Sequence, residues 1–207
     1  SGWPAAAGSN NTMQSNASPL IGVLAVQGAF LKHRQKLREI GTASIEVRTA
    51  AELARCRGLI IPGGESTTIT KVLRATGLLE PLAAFAATHP VFGTCAGCIL
   101  LGRETTDRAD VQPLGVLDIT VERNAYGSQR ESFLTTLTLD NAPLEAVFIR
   151  APKIVRCGPQ VEVLISLDGS PVLVRQGQAL AATFHPELSA GVILHSLFIG
   201  LVKSSTP

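Results

Sequence analysis

The sequence lacks the features that mark several large classes of protein. It contains no apolar run long enough to span a bilayer, because the longest candidates are interrupted by His, Ser and Gly. The 18 Lys and Arg residues are scattered and give a net charge of only +2, so no basic surface for nucleic acid is predicted. The four cysteines do not form a disulfide framework of the secreted type, and the four histidines are not at ligand-like spacing from them. We therefore expect a cytoplasmic protein that binds no membrane, no nucleic acid and no metal.

What remains is the composition of a folded protein. The chain has 207 residues, of which 45% are hydrophobic and 16% charged, and this is enough for one α/β domain with a full core. The residues before Met13 include neither a basic segment nor a long apolar one, so they do not resemble a signal peptide. We expect residues 1–19 to be a flexible tail or a remnant of cloning, and residues 20–207 to form the domain.

Strands and helices alternate in the first half of the sequence. Continuous apolar runs at residues 20–28, 58–64 and 91–94 predict buried strands, and each is followed by a segment with helical character. This alternation predicts a mainly parallel sheet flanked by helices, which is a three-layer α/β sandwich in a single domain. From about Leu114 strand-like segments follow one another and predict extra antiparallel strands, and the apolar segment 191–203 predicts a final helix.

Cys95 occupies the point where a predicted strand meets a predicted helix. In the segment VFGTCAGCILLG, the small residues Ala96 and Gly97 allow a sharp turn directly after the strand. The pattern is that of a nucleophile elbow with sulfur in place of oxygen, and a nearby helix N-terminus favours the thiolate that attacks. Two alternatives stay open: Cys95 is a small buried hydrophobe, or it forms a redox pair with Cys98.

A histidine and a carboxylate near the C-terminus fit a cysteine nucleophile. In TFHPEL, His185 and Glu187 are two residues apart, so their side chains point to the same side of an extended segment, which Pro186 helps to keep extended. Glu187 would then orient the imidazole that takes the proton of Cys95. The alternative is a surface loop in which both side chains are solvated and unrelated.

A pair of glycines follows another buried strand. In LIIPGGESTT, the glycines allow backbone conformations that can aim an N–H group into a site. The N–H groups of Gly64 and Ala96 would together form an oxyanion hole for acyl transfer. The alternative is a plain turn before a helix capped by Ser66.

The combined motifs resemble the class I, triad-type glutamine amidotransferases. The order of oxyanion strand, cysteine elbow and His-x-Glu motif is the same as in those enzymes. One group within the family is matched more closely, through four further segments: VLAVQGAF, VERNAYG, SQRESF and VFIRAP. The full set resembles the glutaminase subunits of pyridoxal 5′-phosphate synthase from Ile21 to about Val202. The resemblance implies a flavodoxin-like fold of the class I amidotransferase kind, and it makes residues 20–207 a glutaminase domain.

The resemblance also implies roles for individual residues. Cys95 matches the nucleophile, and His185 and Glu187 match the general base and its orienting carboxylate. The positions that match glutamine contacts are Gly64, Glu65, Ser66, Arg123, Ile149 and Arg150. Two positions depart from the family: Ser128 stands where a basic residue is expected, which bears on contact with a partner, and Cys98 stands where an aliphatic residue is usual.

The function implied by the resemblance is hydrolysis of L-glutamine to L-glutamate and ammonia. The ammonia passes to a synthase subunit in a hetero-oligomeric complex that makes pyridoxal 5′-phosphate, so this compound is the product and the glutaminase needs no cofactor. The resemblance further implies that the partner switches the glutaminase on, for which a flip of the Gly63–Gly64 peptide offers a route. Two alternatives stay open: a catalytically silent regulatory subunit of the same fold, and another Cys-His hydrolase such as a γ-glutamyl hydrolase.

Overall fold

The computed structural model describes residues 18–107, 109–125 and 132–205. Most of the predicted tail, residues 1–17, and the family departure at Ser128 lie outside the described residues. Of the helices within these residues, none is both long enough and apolar enough to cross a membrane.

The strands are β1 (Ile21–Leu24), β2 (Ser44–Val47), β3 (Gly58–Ile61), β4 (Val91–Thr94), β5 (Glu104–Thr105), β6 (Ile119–Glu122), β7 (Ser132–Leu139), β8 (Ala142–Ile149), β9 (Lys153–Cys157), β10 (Glu162–Leu167), β11 (Ser170–Gln176) and β12 (Ala179–Ala182). The α-helices are α1 (Phe30–Glu39), α2 (Ala50–Leu53), α3 (Ser66–Ala75), α4 (Leu79–Thr88), α5 (Ala96–Leu101) and α6 (Ile193–Ser204).

Seven strands form the central sheet, in the order β10-β11-β12-β4-β3-β1-β2. The five strands from β12 to β2 in this order pair in parallel, with Ile60 of β3 opposite Phe92 of β4. At the other edge, β10 and β11 form an antiparallel hairpin whose turn is Asp168-Gly169, and β11 pairs antiparallel with β12. The predicted fold, a mainly parallel sheet with extra antiparallel strands in the C-terminal half, is confirmed.

The central sheet separates two hydrophobic cores. Neighbouring residues of β3 point to opposite faces, because side chains alternate along a strand. Leu59 and Ile61 belong to the core that includes side chains of α2, α3, α4 and α5. Ile60 belongs to the other core, with α1, α6 and the two-stranded sheet β7–β8. The predicted three layers are therefore confirmed.

Two strands of the smaller sheets, β5 and β9, were not predicted. β5, β6 and β9 form a three-stranded sheet, in which β9 pairs antiparallel with β6. The apolar pattern of β9 is interrupted by Lys153 and Arg156, which is why it does not stand out in the sequence. Arg156 lies 3.0 Å from the carboxylate of Asp118, so this charge is used in packing the small sheet together.

The carboxyl ends of the parallel strands meet at one edge of the central sheet. β1 ends at Leu24, well before the predicted end at residue 28, and the chain turns away there. The loops after β1, β3, β4 and β12 carry in turn residues 25–29, residues 62–65, Cys95 and His185. Loops at this edge of a parallel sheet form the usual binding crevice of such folds.

Candidate active site

A cleft of about 440 Å³ lies among these loops. It is lined by nine of the ten residues that the sequence motifs select: Gly64, Glu65, Ser66, Cys95, Ala96, Arg123, Ile149, Arg150 and His185. The tenth, Glu187, is buried and lies behind His185. The fold therefore brings all the candidate site residues into one region.

Cys95 lies between β4 and α5, at the predicted strand-to-helix turn. Its backbone has φ 51° and ψ −107°, the kind of sharp turn that a nucleophile elbow requires. Its N–H donates to the carbonyl oxygen of Ala182 at 2.9 Å, which ties the turn to β12. A side chain on Gly97 would lie 2.0 Å from the carbonyl oxygen of Ile61, so α5 packs backbone to backbone against β3. These contacts hold a largely buried thiol at the cleft.

Cys98 does not fit the alternative of a redox pair. It is fully buried in the core one turn further along α5, and burial raises the pKa of its thiol far above the ordinary range. All four cysteines of the chain are free. Because a resolving thiol has to become a thiolate in an accessible position, Cys98 acts as a core residue.

His185 and Glu187 contact each other, but not through an extended segment. His185 Nδ1 lies 2.7 Å from Glu187 Oε1. Pro186 begins a short 3₁₀ helix, Pro186–Leu188, so the predicted extended conformation is wrong. The reason is that the fixed φ of proline suits the first position of a helix as well as it suits a strand. An ionised carboxylate only accepts hydrogen bonds, so Nδ1 carries a proton and donates a hydrogen bond to Glu187, and Nε2 is the nitrogen left to interact with Cys95.

The neighbours of His185 favour its charged form. Burial alone would lower the pKa of His185, but hydrogen bonds with Cys95 and Glu187 raise it to about 10. Burial also opposes the charge on Glu187, yet His33 and His185 hold the pKa of that carboxyl below its ordinary value. A cysteine, a charged histidine and an ionised carboxylate in series form the arrangement used for nucleophilic attack by sulfur.

The loop after β3 lies directly against this pair. A side chain on Gly63 would lie 2.7 Å from His185 Cε1 and 3.2 Å from Cys95 Cβ. Ala96 is the first residue of α5, so its N–H has no acceptor inside the helix. Gly64 lines the same cleft. Both residues therefore lie at the cleft beside Cys95 and His185, where the predicted oxyanion hole would form.

Two residues that hold this loop, Gln27 and Gly28, were not predicted as site residues. The side-chain oxygen of Gln27 accepts a hydrogen bond from the N–H of Glu65 at 2.7 Å. Gly28 has φ 84°, and a Cβ there would lie only 1.8 Å from the carbonyl oxygen of Gly63. The signal in the sequence is the glycine that ends the first apolar run, which marks a turn in contact with another loop.

The N-cap of α3 is Glu65, and the alternative in which Ser66 caps this helix is wrong. The carboxylate of Glu65 accepts hydrogen bonds from the N–H groups of Thr67 and Thr68 at 3.1 and 2.7 Å, while Ser66 is buried in the first turn. Burial opposes the charge, but the bonds from Thr67 and Thr68 lower the pKa of Glu65 to about 2. Glu65 therefore brings a fixed negative charge to the cleft.

Arg123 brings a positive charge to the same cleft. Its guanidinium pairs with Glu65 at 3.3 Å and with Asp107 at 3.2 Å. Its Nε is buried and has no hydrogen-bond partner among the residues that the structure describes. Ile149 and Arg150, at the end of β8, are exposed on the cleft wall. The cleft thus combines charges of both signs, and the buried Nε of Arg123 offers a side-chain donor to a ligand.

Two further buried histidines, His33 and His195, were not predicted to matter, and they should make the protein sensitive to acid. Burial lowers the pKa of His33 to about 4 and that of His195 to about 2, against an ordinary value of 6.5. Both are therefore neutral in the folded protein at pH 7. In the unfolded chain both histidines have the ordinary pKa, so that chain binds more protons than the folded one as the pH falls below about 6.5. The free energy of unfolding should fall by about 2 kcal/mol per histidine at pH 5, as measured by urea unfolding between pH 7 and 5.

This pH window separates the histidines from other groups. The carboxyls that titrate on unfolding do so mainly below pH 5, because their ordinary pKa values are near 4. His185 has the opposite sign, since its raised pKa gives stability that is present below 6.5 and is lost only as the pH rises through about 10. A free energy of unfolding that stays constant from pH 7 to pH 5 would contradict the burial of two neutral histidines.

Comparison with known proteins adds to this geometry. The model of the SNO glutamine amidotransferase family matches residues 23–204. The pyridoxal 5′-phosphate synthase subunit PdxT of Frankia alni is 50% identical over 194 residues, which cover 91% of this chain and 98% of that protein. The subunit of the same name from Deinococcus radiodurans is 49% identical over 188 residues, covering 87% and 96%.

Solved structures agree with the sequence relatives. A crystal structure of a glutamine amidotransferase has a TM-score of 0.84 and 44% identity to this chain, covering 88% of it and 98% of that structure. The structure of PurLQS from Thermotoga maritima has a TM-score of 0.62 at 16% identity, covering 91% of this chain and 97% of the matched one, and shows a likeness of fold alone. With a family model that spans almost the whole described chain and relatives about half identical to it, this chain belongs to the SNO glutamine amidotransferase family.

Proposed function

We propose that this chain hydrolyses L-glutamine to L-glutamate and ammonia, and that it supplies the ammonia to a synthase subunit that makes pyridoxal 5′-phosphate. The observation that carries the first part is the series Cys95, His185 and Glu187: Cys95 and His185 line the cleft together with Gly64 and Ala96, and Glu187 contacts His185 from behind. The names of relatives about half identical over nearly the whole chain support the second part.

The first half of the reaction is attack by sulfur. The thiolate of Cys95 adds to the carbon of the side-chain amide, and the oxygen of the tetrahedral intermediate is held by the N–H groups of Gly64 and Ala96. The charged imidazole of His185 then gives its Nε2 proton to the departing nitrogen. Ammonia leaves, and a thioester between Cys95 and the glutamyl group remains.

The second half of the reaction is hydrolysis of the thioester. His185, now neutral, takes a proton from a water molecule, and the hydroxide formed adds to the thioester carbon. Glutamate leaves, and the sulfur of Cys95 regains its negative charge beside the imidazolium. Glu187 stays ionised throughout the reaction. By accepting the hydrogen bond from Nδ1, it keeps Nε2 directed at the reacting atoms.

The charges of the cleft suit a free amino acid as substrate. Glutamine carries an α-carboxylate and an α-ammonium group, so it needs charges of both signs near each other. We assign its binding to Gly64, Glu65, Ser66, Arg123, Ile149 and Arg150, which all line the cleft. In this assignment the unused Nε of Arg123 donates to the α-carboxylate, because a buried donor without a partner is costly unless a ligand satisfies it.

The remaining parts of the proposal concern the complex. Each charge that the reaction develops is handled by a side chain or a backbone N–H group named above, so we propose that the subunit uses no metal and no cofactor. Pyridoxal 5′-phosphate is then the product of a hetero-oligomeric complex with the synthase subunit. We place this complex in the cytoplasm, where a reducing environment keeps thiols such as that of Cys95 free.

The test measures glutamate release from glutamine labelled with nitrogen-15 in the amide, by this chain alone and mixed with a pyridoxal 5′-phosphate synthase subunit. We expect release to rise at least about tenfold with the partner, a normal size for coupling between sites. The label should enter pyridoxal 5′-phosphate even in excess unlabelled ammonium, because the ammonia is passed on directly.

Each other outcome of this experiment has a separate meaning. Release that ignores the partner, with no transfer of label, would leave a glutaminase but overturn the role as ammonia donor. No release from folded, partner-bound protein would indicate a silent regulatory subunit. Cleavage of a γ-glutamyl peptide in place of free glutamine would indicate a γ-glutamyl hydrolase.

A further inference from the structure

A group of buried polar side chains lies behind the triad, on the side away from the cleft. It consists of His33 on α1, Thr94 at the end of β4, Glu187 on the 3₁₀ helix and His195 on α6, none of them more than 2% exposed. His33 Nε2 lies 3.2 Å from Thr94 Oγ1 and 3.4 Å from Glu187 Oε2, and His33 Nδ1 lies 3.0 Å from His195 Nε2. His33 thus lies at the centre of the group and contacts Thr94, Glu187 and His195 in turn.

Glu187 depends on this group for its second oxygen. Oε1 accepts from His185, whereas Oε2 has no hydrogen bond of good geometry among the described residues. The side chain that offers it a donor is that of His33, whose Nε2 lies 3.4 Å away, at the long end of hydrogen-bonding distance. A buried carboxylate oxygen without a nearby donor is costly, so the position and charge of Glu187 rest on what His33 presents to it.

The hydrogen bonds select one tautomer for each histidine. If His33 carried its proton on Nδ1, it would donate to His195 Nε2, and the proton of His195 would then be on Nδ1, which has no partner in the described structure. That arrangement leaves a buried N–H unsatisfied and turns a lone pair of His33 toward the carboxylate. The opposite arrangement leaves only a lone pair of His195 unsatisfied and turns the Nε2–H of His33 toward Thr94 and Glu187, so it is favoured.

We propose that His33 is a positioning residue of the triad: as a neutral Nε2–H donor, fixed in that tautomer by His195, it holds the second oxygen of Glu187. This inference rests on the proposed glutaminase function. By holding Oε2, His33 keeps Oε1 on His185 Nδ1 and keeps Glu187 ionised while the charge on His185 changes during the reaction. Other charged groups that face the pair of histidines are His185, toward His33, and Lys36, toward His195.

A first test does not depend on activity. Nitrogen-15 NMR of the imidazole rings in the free, folded chain distinguishes the two neutral tautomers of a histidine. We expect His33 in the Nε2–H form with its signal unchanged between pH 7 and 6, and His195 also in the Nε2–H form. An Nδ1–H form of His33, or a charged His33 at pH 7, would overturn the proposal even if the chain proved to be an active glutaminase.

A second test compares two polar replacements at the same position. In His33→Gln the amide nitrogen reaches the place of Nε2, whereas in His33→Asn the shorter amide reaches only the place of Nδ1. With the synthase partner present, we expect kcat for glutamate release to fall about 10- to 100-fold in His33→Asn, the size of effect that misplacement of a triad member produces. His33→Gln should stay within about threefold of the original chain, with KM little changed in both variants.

The pH profile separates positioning from packing. In His33→Asn the acidic limb of kcat/KM should move to higher pH, because Glu187 takes up a proton more easily without its donor, while in His33→Gln it should stay in place. Thr183→Val is the control, since it removes a buried hydroxyl that has no partner in the described structure and should leave both kcat and the limb unchanged.

Every other pattern counts against the proposal. Equal kcat and equal acidic limbs for His33→Asn and His33→Gln would show that only packing at this position matters. If His33→Asn does not fold by circular dichroism, His195→Phe takes its place: it keeps a ring next to Phe92 but removes the donor to His33 Nδ1. An unchanged kcat in His195→Phe would overturn the proposal. If the unmodified chain releases no glutamate, the proposed function fails, and the NMR result still decides the role of His33 as a donor.

Discussion

Replacing Cys95 with alanine should lower glutamate release by on the order of 10⁴-fold or more, because the sulfur that forms the thioester is gone. The loss should appear in kcat measured with the synthase partner, with little effect on binding of that partner. Circular dichroism and urea unfolding of Cys95→Ala should remain close to those of the original chain, since the side chain lines a cleft and its removal leaves no cavity in either core.

Cys98→Ala is the matched control for this prediction. Cys98 is three residues further along the same helix, but it is fully buried and does not line the cleft. We expect normal glutamate release from this variant and a loss of about 1 kcal/mol in the free energy of unfolding, from the volume removed from the core. If Cys98→Ala were inactive and Cys95→Ala active, the assignment of the nucleophile would be wrong.

Gly28→Ala should lower glutamate release by about 100-fold or more, although Gly28 takes no part in the chemistry. A Cβ at this position would lie 1.8 Å from the carbonyl oxygen of Gly63, so the peptide before Gly64 would have to move. Such a shift displaces the oxyanion donor of Gly64 relative to Cys95. The measurement is kcat for glutamate release with the partner present, together with the free energy of unfolding.

Gly77→Ala separates the clash from the strain of the backbone. Gly77 has φ 68°, close to the 84° of Gly28, but a Cβ there would meet no atom within 4 Å. Both variants should therefore lose about 1–2 kcal/mol of stability from the left-handed backbone, and only Gly28→Ala should lose activity. Full activity in Gly28→Ala would mean that the position of the Gly63 carbonyl is unimportant for hydrolysis.

The sequence predicts the layers of this fold because its core strands are simple apolar runs. β3 and β4 are buried on both faces, and Ile60 and its neighbours follow the alternation expected of such strands. β9 escapes prediction because charges interrupt it, and the end of β1 is placed too late because apolar residues continue past the last paired residue. Apolar patterns report burial well and hydrogen-bonded pairing only indirectly.

The candidate site is predictable from sequence for residues that carry reactive groups. Cys95, His185 and Glu187 stand in short motifs whose chemistry is evident, and the structure brings them together. Gln27 and His33 are different, because their importance lies in which distant loop or helix they touch. A glutamine after an apolar run and a histidine within a helix have no local pattern that reveals such contacts.

The backbone of Cys95 has a consequence for the evolution of this chain. A residue with a side chain pays on the order of 1–3 kcal/mol to stay in such a conformation, whereas glycine adopts it with little strain. Thermodynamic stability and reactivity are therefore opposed at this single codon. Selection for heat resistance alone would favour glycine there and would remove the nucleophile in doing so. A population that no longer needed the reaction would have an easy route to a more stable and inert protein.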